Sequence, residues 1–233
     1  MAETFILAFG AHPDDVELGA GATCALHAKD GVVICDLTAA EMSSNGNPEL
    51  RWKEATIASE ELGVGARICL GLQDRGLFVT ADTISALVKV IRTFQPHIIL
   101  APHASDRHPD HGQCANLVRE ALFSSGLRKH EDGLTPYRPS AFYHYFINGM
   151  EKATFAVDVS SVYEKKRAAL AAYSSQFYPS SGVHTALTRS SFLPMIEGRD
   201  RIFGQAIGSD FGEGFWQADP LYASSLKANI RSF

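Results

Sequence analysis

The chain has 233 residues, 45% of them hydrophobic and 20% charged, with 21 Lys and Arg against 26 Asp and Glu for a formal charge of −5. At ~100–200 residues per domain it can bury a sizeable core, and its apolar fraction excludes a disordered chain. A mildly acidic balance argues against broad nucleic-acid binding, no apolar run approaches the ~18–20 residues of a membrane span, and Met1-Ala2-Glu3 lacks the basic flank of a signal peptide.

Thr4–Gly10 is a short continuous apolar run, as expected of a strand buried on both faces, and a helical stretch over about Asp14–Lys29 follows. Gly31–Thr38 reads as the next strand. Asn47-Pro48 opens a helix, with Asn as cap and Pro in the first turn, that runs to Leu62-Gly63. Arg67–Leu72 is a third strand, Ala81–Phe94 a helix, Pro96–Pro102 a fourth strand and Pro109–Phe123 a helix. Beyond Gly126 the alternation loosens. Ala141–Phe146 and Thr154–Val159 read as strands and Val162–Tyr173 as a helix, while from Ser174 the chain is rich in Ser, Gly and Phe with weak periodicity. Strand–helix alternation without a linker or repeat predicts one α/β domain over residues 1–233, with a doubly wound, mostly parallel, Rossmann-like sheet and helices on both faces.

Ligands of open parallel sheets bind beyond the carboxyl ends of the strands, and reactive residue types gather there. His12, Asp14 and Asp15 follow the first strand, Glu41 and Arg51 the second, Asp74 and Arg75 the third. His103, Asp106, Arg107, His108, Asp110 and His111 follow the fourth. Pro13 pushes His12 towards an extended conformation, and Asp14 and Asp15 are expected in the first turn of the next helix. Two adjacent carboxylates with no basic neighbour in sequence call for a cation. His108 and His111, three apart at a helix start, share one face, and the positive end of the helix keeps their rings neutral. His12, Asp15 and one of these two histidines form a three-donor nitrogen and oxygen set that leaves a position for water, the pattern of a catalytic zinc. Iron(II) can occupy the same donors.

Other chemistries fit less well. Gly10, Gly19 and Gly21 fail the spacing of a dinucleotide fingerprint, and the last two are read instead as permitting close helix packing. There is no G-x-S-x-G elbow for a serine hydrolase. A glycosidase using Asp14 and Asp110 needs no histidines, and a phosphoesterase lacks an obvious second metal. Cys24, Cys35, Cys69 and Cys114 form no CxxC and read as small buried residues of a cytoplasmic protein. Phe142, Tyr143 and Tyr145 are expected in the core.

The two motifs, AHPDDVE over Ala11–Glu17 and HPDH over His108–His111, resemble those of the PIG-L/LmbE-like zinc-dependent N-deacetylases. Cys35–Arg51 with Glu54-Ala55, and Leu70–Leu77 (LGLQDRGL), look like the bacillithiol-biosynthesis branch, whose enzymes remove acetate from N-acetylglucosaminyl malate; the alternatives are another N-acetylglucosamine glycoside (a mycothiol precursor, a chito-oligosaccharide or an antibiotic intermediate) and a non-catalytic sugar-binding relative. The resemblance implies that His12, Asp15 and His111 bind the metal. It makes Asp14 the general base and His108 the group that stabilises the oxyanion or protonates the leaving amine. Asp110 supports that site, and Arg51 faces the substrate. Arg107 and Asp106 lie on the same expected rim and are candidates for contact with the glycoside. The resemblance also implies a homo-oligomer, with a hexamer as one form.

Overall fold

The computed structural model describes residues 3–130, 132–150, 152–179 and 182–220, and the remaining positions of the expected domain lie outside them. Seven strands form one sheet: β1 (Ile6–Gly10), β2 (Val32–Thr38), β3 (Ala66–Leu72), β4 (Ile98–Pro102), β5 (Ala141–Tyr145), β6 (Phe155–Asp158) and β7 (Gly212–Trp216), in the order β3-β2-β1-β4-β5-β7-β6. β1 lies in register between β2 and β4, Ile6 opposite both Val32 and Ile98, and β1 to β5 run parallel. β7 is antiparallel to both its neighbours. The sequence direction reverses about β1, so the carboxyl ends of β1 and β4 flank the switch point where such sheets bind ligands.

Helices α1 (Asp15–Leu26), α2 (Ala28–Gly31), α3 (Pro48–Leu62), α4 (Ala81–Phe94), α5 (Pro109–Ser125), α6 (Tyr163–Ala172), α7 (Ser174–Phe177) and α8 (Phe192–Ile207) cover the sheet. Alternate β1 and β2 side chains serve two cores. Ile6, Ala8, Val32 and Ile34 pack with Leu18, Ala55, Ala58 and Ala169 of α1, α3 and α6. Leu7, Phe9, Val33 and Cys35 pack with Leu87, Ile91, Leu117 and Val118 of α4 and α5. Buried on both faces, these strands need the continuous apolar runs seen in the sequence. Tyr145 is fully buried and its hydroxyl donates to the Phe9 carbonyl (2.7 Å), while Phe142 and Tyr143 pack at the core margins. All four cysteines are free, three of them buried.

Two caps follow the sequence closely. The Asn47 side chain accepts from Leu50 N at 2.8 Å, and Gly63 closes α3 in the left-handed conformation (φ 75°). Of the two helix glycines, Gly19 is the one at a close approach: a Cβ there would lie 2.1 Å from Tyr145 Cδ2, whereas at Gly21 the nearest atom would be 3.6 Å away. The weakly periodic region after Ser174 holds α8 and β7. Gly212 and Gly214 of β7 pack so closely on α8 that a Cβ at Gly214 would lie 2.6 Å from Phe203. The same packing strips this strand of its sequence signal.

Candidate active site

β1 delivers His12 to the switch point, and the turn after it sends the two neighbouring carboxylates apart. Asp14 is the residue that caps α1, not part of its first turn, and its backbone is left-handed (φ 110°, ψ −23°) with no cap bond from its side chain. Asp15 begins the helix. Its Oδ2 accepts from His12 N (2.9 Å) and lies 3.5 Å from His12 Nδ1, and its Oδ1 lies 3.0 Å from His111 Nε2. Asp14 Oδ2 turns to Arg51 Nη2 at 2.8 Å. The sequence showed no basic neighbour for Asp14, because its partner is 37 residues away on α3.

β4 delivers the histidine pair. His108 caps α5 and its Nδ1 accepts from Asp110 N (3.3 Å), which places its ring proton on Nε2. His111 stacks on His108 with centroids 4.7 Å apart, and the His12 ring meets His108 edge-on at 4.9 Å. Ring nitrogens of His12, His108 and His111 lie within 4.8 Å of one another. So do donor atoms of a second group, His12, Asp74 and Asp110.

The outer contacts order the rings. His12 Nε2 faces Asp74 Oδ1 (3.2 Å) and Asp110 Oδ2 (3.5 Å), and His111 Nδ1 lies 2.9 Å from Asp106 Oδ1. Each imidazole is thus braced by carboxylate on the side away from Asp15, the arrangement that orients metal-ligating histidines. The next contacts outward hold these carboxylates. Glu41 accepts from Asp74 N, Met42 N donates to Asp74, and Arg75 pairs with Asp110 (2.8 Å). Asp106 is also filled by His108 N, Asn148 N and Asn148 Nδ2 (2.9–3.0 Å). The carboxylate expected on the substrate is therefore engaged in holding His111 and the start of α5.

The electrostatics follow from burial against these pairs. Burial opposes charge on His12, yet Asp110, Asp15 and Asp74 outweigh it and hold the ring's pKa well above the ordinary value. Burial likewise opposes charge on His111, but Asp15 and Asp106 raise it to about 9. Burial would raise Asp15, and the two imidazoles hold it well below the carboxylate range. Asp14 is the exception: burial wins over Arg51 and lifts it to about 7. His108 is lowered by burial and by its imidazole neighbours, so it stays neutral.

A cavity of about 380 Å³ opens over this cluster, lined on one side by His12, Asp14, Asp15, His108 and His111. Met42, Asn45, Asn148, Gln176 and Leu187 complete it from other loops. Asn148 follows the end of β5, so the strand-end rule could have found it. Gln176 and Leu187, in the weakly periodic region, carried no signal. Arg51, Arg75 and Arg107 all reach the cavity, but not with the acidic sequence neighbours that spacing offers them. Arg51 takes Asp14, Arg75 takes Asp110, and Arg107 donates to Asn148 Oδ1 (3.0 Å).

Comparison with known proteins gives the family. The profile described as PIG-L, GlcNAc-PI de-N-acetylase, matches residues 7–122, which span both motifs. The diacetylchitobiose deacetylase of Thermococcus kodakarensis is 30% identical over 74% of this chain and 70% of its own. The chain belongs to the PIG-L family. Its activity is N-deacetylation. A second relative, the 1D-myo-inositol 2-acetamido-2-deoxy-alpha-D-glucopyranoside deacetylase of Rhodococcus opacus, is 30% identical over 61% of each chain. Among solved structures, the conserved protein TT1542 from Thermus thermophilus superposes with a TM-score of 0.85 at 33% identity, covering 98% of this chain and 100% of that one. No described helix of this PIG-L protein is long and apolar enough to cross a membrane.

The donor chemistry fits a metal. Two neutral-capable imidazoles and one buried carboxylate are nitrogen and oxygen donors of the kind zinc and iron(II) take. Among the described residues the buried charge of Asp15 is paired only with histidines.

Proposed function

We propose that this PIG-L protein removes the acetyl group from N-acetylglucosaminyl malate, in bacillithiol biosynthesis, with a metal held by His12, Asp15 and His111. The observation that carries the reading is the convergence of these donors, Asp14 and a cation without a carboxylate partner among the described residues on one cavity. A bound zinc, or iron(II) in its place, supplies a water of lowered pKa and polarises the amide carbonyl.

The protein's own groups do the rest. Asp14, lifted by burial to about 7, is suited both to take the proton of the attacking water and to return it to the departing amine. His108 is neutral with its proton on Nε2, so it donates a hydrogen bond to the carbonyl oxygen as that atom gains charge. Asp74, Asp106 and Asp110 keep the imidazoles in register.

The malate carboxylates need a cation. Arg51 is taken by Asp14 and the Pro13 carbonyl, and Arg75 by Asp110. Among the described residues Arg107 pairs with no carboxylate, which supports it as the anion-binding group in place of Arg51. We read the enzyme as cytoplasmic and as a homo-oligomer, a hexamer included, to be checked by sizing with light scattering.

The test is acetate release by the zinc-loaded protein from N-acetylglucosaminyl malate, N-acetylglucosaminyl inositol, diacetylchitobiose and free N-acetylglucosamine. The malate conjugate is expected to have the highest kcat/KM. Arg107→Ala should raise KM for it and leave free N-acetylglucosamine unaffected. Preference for chitobiose or inositol conjugate would replace the malate assignment. Release from none of the four would refute it. Asp14→Asn should bind metal normally and lose ~10²–10⁴-fold in rate.

A further inference from the structure

We infer that Arg51 is a positioning residue: its guanidinium holds Asp14 in the left-handed backbone conformation from which that carboxylate acts. The inference rests on the deacetylase reading for the role of Asp14, and on geometry alone for the strap.

Asp14 has φ 110°. Side-chain-bearing residues avoid this region and persist in it only where surrounding contacts over-determine the backbone. Arg51 supplies those contacts. Its Nε and Nη2 both donate to the Pro13 carbonyl (2.9 and 2.8 Å), and the same Nη2 reaches Asp14 Oδ2 (2.8 Å). The Pro13 carbonyl is fixed to the peptide plane on the N side of the Asp14 N–Cα bond. The carboxylate hangs from Cα on the other side. A rigid fork that grips both restricts the torsions between them, and with the carboxylate held in one rotamer the one that remains is φ.

Arg51 is itself well anchored. It is 5% exposed, lies one turn into α3 after the Asn47 cap, and its Cζ sits 5.7 Å from the Tyr173 ring centroid. The consequence for the site is the divergence of two adjacent carboxylates, Asp15 towards the imidazoles and Asp14 away from them. The sequence alone suggests both residues in a regular first turn; in the structure Asp15 is there and Asp14 is not. The guanidinium nitrogen left is Nη1, which is buried without a hydrogen-bond partner among the described residues. A substrate group would have to claim this donor if Arg51 bound substrate.

Arg51→Met removes the fork and keeps an apolar stem of similar reach. Its metal content should equal the wild type's. Its kcat should fall by about 100-fold, the scale of a 1 Å misplacement of a reacting group. KM should stay within a few-fold for the malate conjugate and for free N-acetylglucosamine alike. A crystal structure of the variant should show residue 14 out of the left-handed region. Arg51→Lys keeps the charge but ends one bond short of the Nη2 position and loses the Nε bond to the Pro13 carbonyl, so it should show the same loss. If the Met variant does not fold, the Lys variant carries the same readings.

A raised KM on the malate conjugate with kcat unchanged overturns the inference, as does φ near 110° at residue 14 in either variant. Full activity of Arg51→Lys overturns it too, since charge alone would then suffice. Loss of the wild type's own deacetylase activity on every substrate would refute the functional reading. The conformation at residue 14 would still decide the strap.

Discussion

Lys166 is fully buried, and its Nζ lies 2.7 Å from both Asp200 Oδ2 and Glu213 Oε1, which are also fully buried. Glu213 also takes two backbone donors, Ala22 N (3.0 Å) and Thr23 N (2.6 Å), just past the break in α1 at Ala20. The Leu18 carbonyl before that break goes to Arg199 Nη2 (2.7 Å), and Arg199 pairs with Asp200. Two carboxylates and two cations thus brace the helix that opens with Asp15. Lys166→Met leaves two buried carboxylates to one guanidinium. Removing one partner of a buried ion pair costs about 3–5 kcal/mol, because the remaining charge is uncompensated. At about 2–4 °C per kcal/mol for a chain of this size, Tm should fall by about 6–20 °C. Calorimetric melting of the metal-loaded protein measures it. The double variant Lys166→Met with Glu213→Gln removes the excess charge and should recover part of the loss. A fall of under about 3 °C in the single variant, or no recovery in the double, would refute the reasoning.

His12→Ala should lower bound metal well below one per chain by mass spectrometric metal analysis, and full occupancy would remove His12 from the ligand set. In chelator-stripped protein, His111 and His12 carry protons at neutral pH, since their pKa values are about 9 and well above the ordinary value. Both rings must be neutral to donate to a metal, so binding should release protons and tighten as pH rises towards 9. The folding linkage has the matching sign. Stability from these two rings is fully present below ~6.5 and is lost as pH rises through their folded values. Titration calorimetry in buffers of different ionisation enthalpy reads the proton count, and none released at neutral pH would contradict the pairing with Asp15. Gly19→Ala should destabilise the protein by about 1–3 kcal/mol by overpacking against Tyr145, while Gly21→Ala, with room for a methyl, should not; equal effects in denaturant unfolding would show that the α1 approach is not the constraint.

The legible parts of this molecule are those where one physical demand acts on consecutive residues. β1 and β2 are buried on both faces, so Ile6–Gly10 and Val32–Cys35 are continuous apolar runs visible in the sequence. α3 begins after Asn47 because a side-chain oxygen there satisfies Leu50 N. β7 reads poorly because a second demand overrides the first. Its glycines answer to α8 packing on it, at the expense of strand propensity. The histidines and carboxylates of the site were legible for the same reason as β1: strand ends are fixed by the fold, and the reactive residues sit at them. Their partners were not, because a pair such as Asp14 and Arg51 is set by where α3 packs.

That difference decides how the arginines are to be assigned. From spacing, Arg51, Arg75 and Arg107 are equivalent, each with an acidic near neighbour in sequence. In the fold all three leave those neighbours. Arg51 and Arg75 are drawn inward to carboxylates that touch or adjoin the imidazole cluster, and each is neutralised there. Arg107 meets only a neutral amide among the described residues. A guanidinium beside a carboxylate has little left to offer an incoming anion, since binding the anion means weakening the existing pair. One beside an amide has its full charge available. The cations closest to the chemistry are therefore the ones least suited to recognise a substrate carboxylate. On the proposed malate reading, specificity for an anionic aglycone would fall to the cavity's rim, where Arg107 can change without disturbing Asp14.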